Sequence, residues 1–135
     1  MKTLCLSVFL LFSLNSIGQC TQTQLPNSPS NLVVTENRPH TDPHLNWETI
    51  PTACDYVVNA KIVEKRGNGY TEQQAAGYPI IIVNNLSYTQ QEFYDTWALQ
   101  LANSYKGITT LKYEIYSRNN MGNSNTISGG YIKIR

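Results

Sequence analysis

Apolar and polar positions alternate with a period of two along most of this 135-residue chain, the pattern of strands with one face in a core and one in water. In Lys112–Arg118, Tyr113, Ile115 and Ser117 alternate with Lys112, Glu114, Tyr116 and Arg118. Asn119-Asn-Met-Gly122 then interrupts with turn chemistry, because glycine accepts the positive φ that such a turn requires. A further strand ends in Tyr131–Arg135. Upstream, Asn31–Thr35 places Leu32 and Val34 on one face, and His44–Glu48 places Leu45 and Trp47 inward. Asp55–Val63 is the longest clean alternation, with Tyr56, Val58, Ala60 and Ile62 together; Arg66-Gly-Asn-Gly69 then reads as a tight turn. Pro79–Val83 is a β-branched run, and Ser87-Tyr-Thr89 reads as one more short strand. Tyr70–Gly77 fits neither period. About seven short strands form a mainly β pattern, the number expected of an immunoglobulin-like sandwich.

One segment follows another period. Between Gln90 and Tyr105, the residues Phe93, Tyr94, Trp97, Ala98, Leu101 and Tyr105 recur at spacings that predict one inserted helix. Thr89-Gln-Gln-Glu92 has the form of a capping box, and Gly107 suits a C-terminal stop. Its apolar face is expected to close one end of the sandwich.

The N-terminus has export chemistry. Lys2 precedes a mostly apolar run, Leu4–Leu14, and Ser16 and Gly18 supply small residues at the −3 and −1 positions of a cleavage site. The run is too short for a membrane span. The predicted organisation is a signal peptide over 1–18, an extended lead-in over 19–29 carrying Pro26 and Pro29, and one domain over 30–135. Removing 18 residues from 135 leaves 117, enough for a single core. Lys2 goes with them, so nine basic residues face nine acidic ones. A chain without net charge or a basic run argues against nucleic acid or an anionic membrane as partner. Cys5 also leaves, and the pair Cys20 and Cys54 favours one disulfide in an exported protein. The alternative is a lipid-bearing Cys20, but Gln19 stands where such a signal wants a small residue. The expected location is secreted, periplasmic or on the cell surface.

The order of these motifs resembles a fibronectin type III domain. Pro29–Thr35 is similar to its proline-led first strand, Leu45-Asn-Trp47 to the second with its core tryptophan, Asp55–Val58 to the third and Ser87-Tyr-Thr89 to the fifth. Tyr113-x-Ile-x-Ser-x-Asn-x-x-Gly-x-Ser124 is similar to the closing hairpin. The resemblance implies that Trp47 and Tyr113 are core residues, with the Tyr113 hydroxyl returning to nearby backbone as a tyrosine corner. It implies that Cys20 and Cys54 reach one pole, with the Gln90–Lys106 insertion at the other. It also implies a role in binding rather than catalysis.

The residues offer little catalytic chemistry. His40-Thr-Asp-Pro-His44 groups two imidazoles and a carboxylate, a metal-binding or metal-dependent hydrolytic alternative built on His40, Asp42 and His44, but it brings no fourth ligand. Arg66-Gly-Asn68 lacks the aspartate of the integrin-binding tripeptide, and Asn85-Leu-Ser87 is a glycosylation sequon. No paired acid and base, activated nucleophile or cofactor motif is present, so neither enzyme activity nor a cofactor is expected. The expected function is a secreted binding or adhesion module, a monomer with a protein or glycan partner. Its candidate contacts are Asn119, Asn120, Asn123, Tyr70 and Tyr78. A structural part of a cell-envelope assembly is the blander alternative.

Overall fold

The computed structural model describes residues 20–36, 42–98, 100 and 109–133. Nine strands run through them: β1 Val33–Glu36, β2 Pro43–Glu48, β3 Asp55–Arg66, β4 Gly69–Gln74, β5 Ile80–Val83, β6 Gln90–Tyr94, β7 Thr109–Asn119, β8 Gly122–Asn123 and β9 Ile127–Lys133. They form two antiparallel sheets. One has the order β1-β2-β6. The other is centred on the long strands β3 and β7, paired from Asp55↔Arg118 to Glu64↔Thr109. β4 and β5 lie end to end along the outer edge of β3. β8 and β9 do the same along β7. The larger sheet therefore has four strand positions, and both of its outer ones are broken.

Alternation sets the core. Leu45 and Trp47 of the small sheet face Tyr56, Val58, Ala60, Ile62, Leu111, Tyr113 and Ile115 of the large one, all fully buried. Trp47 meets Tyr56 edge-on, with ring centroids 5.2 Å apart and planes at 71°, a favoured geometry for two aromatic quadrupoles. Outward residues of the large sheet are charged and paired: Lys61 with Glu114 at 3.2 Å, and Arg118 with Asp55 at 2.7 Å. Gly129 permits a close approach, because a Cβ there would stand 2.2 Å from Leu32 Cδ2.

Two expectations are corrected. Gln90–Tyr94 is strand β6, not the first turn and a half of a helix, and it pairs with β2 from Glu48↔Gln90 to His44↔Tyr94. Gln91 and Phe93 turn inward while Gln90, Glu92 and Tyr94 stay exposed, an alternation that the 3- and 4-residue spacings had masked. Main-chain pairing to an open strand edge outweighs a helix whose stability would have to come from tertiary contacts. Among the described residues helical backbone is found only at Ala98 and Gln100, and residues 99 and 101–108 of the expected helix and the stretch after it lie outside them. Second, Ser87–Thr89 belongs to the turn that precedes β6 rather than to a strand. The Tyr113 hydroxyl donates to Asp95 Oδ2 at 2.5 Å, and residues 101–108, just upstream of β7, lie outside the described residues. The ambiguous stretch resolves into β4 and a turn at Ala75–Pro79, with Ala75 and Tyr78 turned into the core.

Cys20 and Cys54 form the disulfide, with Cα atoms 5.2 Å apart across a separation of 34 residues. Both thiols are consumed, which removes the lipid-bearing reading of Cys20. Among the described residues no helix is long and apolar enough to cross a membrane. The signal-peptide residues 1–18 lie outside the described residues.

Candidate functional site

The disulfide marks one pole of the sandwich. Here the β2–β3 loop, the β5–β6 loop, the β7–β8 turn and the segment 20–30 meet. Loops at such a pole carry many backbone groups that no strand satisfies, and buried ones must be paired. Side-chain amides do that pairing. Asn84 Nδ2 donates to Ile50 O and Ala53 O, both at 2.8 Å, and its Oδ1 accepts the Tyr56 hydroxyl at 2.8 Å. The Tyr56 oxygen in turn accepts Ile50 N–H at 2.9 Å. Burial raises the Tyr56 phenol pKa, partly offset by that backbone donor. Gln91 Nε2 donates to Thr49 Oγ1 at 2.7 Å and Asn85 O at 2.8 Å, while its Oε1 accepts Asn85 N–H at 3.0 Å. These contacts clamp the β5–β6 loop to the β2–β3 loop.

A second set fastens the N-terminal segment. Asn119 Nδ2 donates to Gln24 O at 2.8 Å and Thr52 O at 2.9 Å, and its Oδ1 accepts Met121 N–H at 2.8 Å. Asn120 pairs with the Gln22 backbone in both directions, accepting at 2.6 Å and donating at 3.0 Å. Ser117 Oγ donates to Asn27 O. The lead-in expected to be merely extended is thus laid along the β7–β8 hairpin, with Pro26 and Pro29 buried. Gly122, at φ +143°, turns that hairpin and lets Leu25 lie against it: a Cβ there would stand 2.9 Å from Leu25 Cδ2.

The five candidate contact residues do not converge. Asn119 is 9% exposed and holds loops together, and Asn120 is exposed but bonded to Gln22. Asn123 is exposed on β8 at the same pole. Tyr70 is 70% exposed at the far end, beside the β3–β4 turn. Tyr78 is in the core, where burial first and the neighbouring Asp95 carboxylate second push its phenol far above the ordinary range. What the pole presents instead is apolar: Leu25, Leu86, Tyr88 and Met121, each more than half exposed. Sequence reasoning missed these residues, and also Asn84 and Gln91, because an asparagine that clamps a loop and one that awaits a ligand look alike in sequence.

The histidine cluster does not assemble among the described residues. His44 Nε2 bonds Glu92 Oε2 at 3.0 Å, and its ring stacks on Tyr94 at 4.4 Å. His40 lies outside the described residues, and among those described no three His, Cys, Asp or Glu side chains could share a metal ion.

The strand order decides the architecture. A three-strand sheet, β1-β2-β6, faces a large sheet of four strand positions, with the chain crossing between sheets from β2 to β3, from β5 to β6 and from β6 to β7. The fold is a fibronectin type III-like sandwich. No family model matches the chain, and no curated protein matches it. Among solved structures it is similar to FN3tt, with 14% identity, a TM-score of 0.44, and 82% of this chain and 96% of that one covered. It is similar to FN3tt mut, at 14% identity, a TM-score of 0.45 and coverage of 82% and 98%. A Fn3-like protein from Clostridium thermocellum shares 23% identity, with a TM-score of 0.40 and coverage of 83% and 99%. In this fibronectin type III-like sandwich, β5 pairs with β3 and belongs to the large sheet, while β6 pairs with β2 in the small one.

Proposed function

We propose that this chain is an exported, non-catalytic binding module that contacts a protein or glycan through its disulfide pole. The observation that carries this reading is the pairing of rigidity with exposure. Asn84, Gln91, Asn119 and the Cys20–Cys54 bond fix the loops, while Leu25, Leu86, Tyr88 and Met121 project from them with Asn120 and Asn123 alongside. Loops fixed before binding lose less entropy on association, and aromatic and methionine side chains are enriched in contact surfaces. A disulfide and an N-terminal export pattern support a secreted, periplasmic or surface location. Domain limits at residues 18 and 30 belong to the same reading, with 19–29 acting as part of the binding pole.

The test is surface capture. Immobilised protein is offered a glycan array and the solubilised surface proteins of its source organism, beside a Leu25→Ser/Met121→Ser variant and a Tyr70→Ser control. Capture that the pole variant loses and the control keeps is the expected result. Capture lost only in the control places the contacts at the other end and overturns the proposal.

A further inference from the structure

A different surface, the free edge of β6, has chemistry of its own. Antiparallel pairs alternate between residues that turn their backbone groups toward the neighbour and residues that turn them away. Thr49 N–H donates to Thr89 O at 3.0 Å, and Asp95 N–H to Pro43 O at 2.8 Å. With the register Trp47↔Gln91 and Leu45↔Phe93, this sets the phase: Gln91 and Phe93 bond β2, and Gln90, Glu92 and Tyr94 turn their backbone groups outward. Of these groups, Tyr94 O already accepts Thr96 N–H at 3.2 Å. Among the described residues no strand lies against that edge, and an unpaired edge is a template for strand addition. The same residues face solvent, with the Glu92 side chain 58% exposed and Tyr94 51%. His44 stacks on the Tyr94 ring and holds Glu92 Oε2; among the described residues Glu92 Oε1 has no partner.

Charge selects the occupant. Every lysine and arginine in these strands belongs to the large sheet, whereas the strands of the small sheet carry Glu36, Glu48 and Glu92 and no basic residue. Glu48 is bonded by Ser30 and Asn31, which leaves Glu92 as the carboxylate on the open edge. The core adds a second requirement. β1 lies beside β9, with Leu32 against Gly129, so β6 and β5 share the opposite flank. There Phe93, Ile80 and Ile82 pack on the core yet stay only partly buried. We infer that β6 takes up an extended peptide of a partner protein, with an arginine opposite Glu92 and an apolar residue on each side of it. Strand addition draws affinity from the main chain, here at Gln90, Glu92 and Tyr94 N–H, and selectivity from alternate side chains. The arginine stands across from Glu92 and diagonal to Tyr94, where a guanidinium pairs with the carboxylate and stacks on the phenol ring. The flanking apolar residues turn inward over Phe93, Ile80 and Ile82. β6 leaves the disulfide pole at Gln90, and Glu92 and Tyr94 lie beyond it.

The probe is acetyl-Thr-Val-Arg-Val-Thr-amide, matched to the 5 residues of β6 and titrated into isotope-labelled protein followed by amide NMR. So short a contact belongs to the weak class of interface, and peptide up to about 5 mM covers a dissociation constant near 1 mM. The expected result is a saturable shift of the Gln90, Glu92 and Tyr94 amide signals. Glu92→Lys exchanges an attractive cross-strand pair for a repulsive one and should weaken binding about tenfold. It should keep the wild-type unfolding midpoint, since the side chain is exposed, and should bind acetyl-Thr-Val-Glu-Val-Thr-amide instead. Thr126→Lys, outside this flank, should bind the arginine peptide as wild type does. Equal binding of the two peptides to wild type, or N-acetyl-arginine amide moving those signals as far as the peptide does, would overturn the inference. So would the absence of a saturable shift at β6, and shifts confined to the disulfide pole would do so while leaving the role of that pole intact.

Discussion

Replacing Tyr113 by phenylalanine tests the least expected contact of the core. The change removes one hydroxyl and leaves the ring, so it opens no cavity worth counting. Tyr113 and Asp95 are both fully buried, and the hydroxyl donates to Asp95 Oδ2 at 2.5 Å. Asp95 Oδ1 accepts Trp97 N–H at 3.1 Å, and its own N–H donates to Pro43 O at 2.8 Å. This one residue therefore anchors the end of β6, the turn after it and the start of β2. A hydrogen bond to a charged group is worth about 1.5–3 kcal/mol, and a buried acceptor that loses its donor adds a desolvation cost. We expect Tyr113→Phe to lose about 2–3 kcal/mol, which at the entropy typical of a domain this size lowers Tm by roughly 10 °C. Urea unfolding of wild type, Tyr113→Phe, Asp95→Asn and the double variant gives the coupling energy. We expect at least about 1 kcal/mol, because directly bonded partners do not add. A single-variant loss below about 0.5 kcal/mol, or an additive cycle, would refute the reasoning.

Two further predictions concern the pole and the core phenols. Replacing both Cys20 and Cys54 by serine opens a loop with a separation of 34 residues, which in the chain-entropy picture costs about 4 kcal/mol. Thermal unfolding and limited proteolysis of segment 20–30 should show a large loss and early cleavage; a shift of under about 1 kcal/mol would mean that the asparagine clamps suffice. Tyr56 and Tyr78 both have phenol pKa values raised above the ordinary 10.0. The unfolded chain therefore ionises first, and their contribution is present in full below about pH 10. It is lost as pH rises beyond that, by up to about 1.4 kcal/mol per unit for each tyrosine. Stability measured at pH 8, 10 and 11 should fall more steeply for wild type than for Tyr78→Phe, and equal slopes would exclude Tyr78 as the cause.

Much of the fold was legible because burial writes a period-two pattern where one face of a strand is in the core. Tyr56, Val58, Ala60 and Ile62 show it, as do Tyr113, Ile115 and Ser117. Strand β6 was hidden because Phe93, Tyr94, Trp97 and Ala98 satisfy a helical spacing by accident, three of them being partly exposed for unrelated reasons. The disulfide followed from cysteine arithmetic. The roles of Asn84, Asn119 and Asn120 could not be read, since a clamp is defined by backbone groups brought from up to 98 positions away. Tyr78 misled in a simpler way: flanked by Gly77 and Pro79, it looks like an exposed turn residue, while the turn between β4 and β5 points its side chain inward.

The Cys20–Cys54 bond also governs how the domain would carry tension. Force applied at the N-terminal side enters at Cys20 and passes through the sulfurs to the start of β3, so residues 20–54 are shielded from extension. The pull then runs along β3 and β7, which lie side by side in ladder contact, and their hydrogen bonds are loaded in shear rather than opened one at a time. Oxidation state thereby sets the stretch available once the domain yields. With the bond closed, the unravelled chain is shorter by 34 residues of contour, roughly 120 Å of extended backbone.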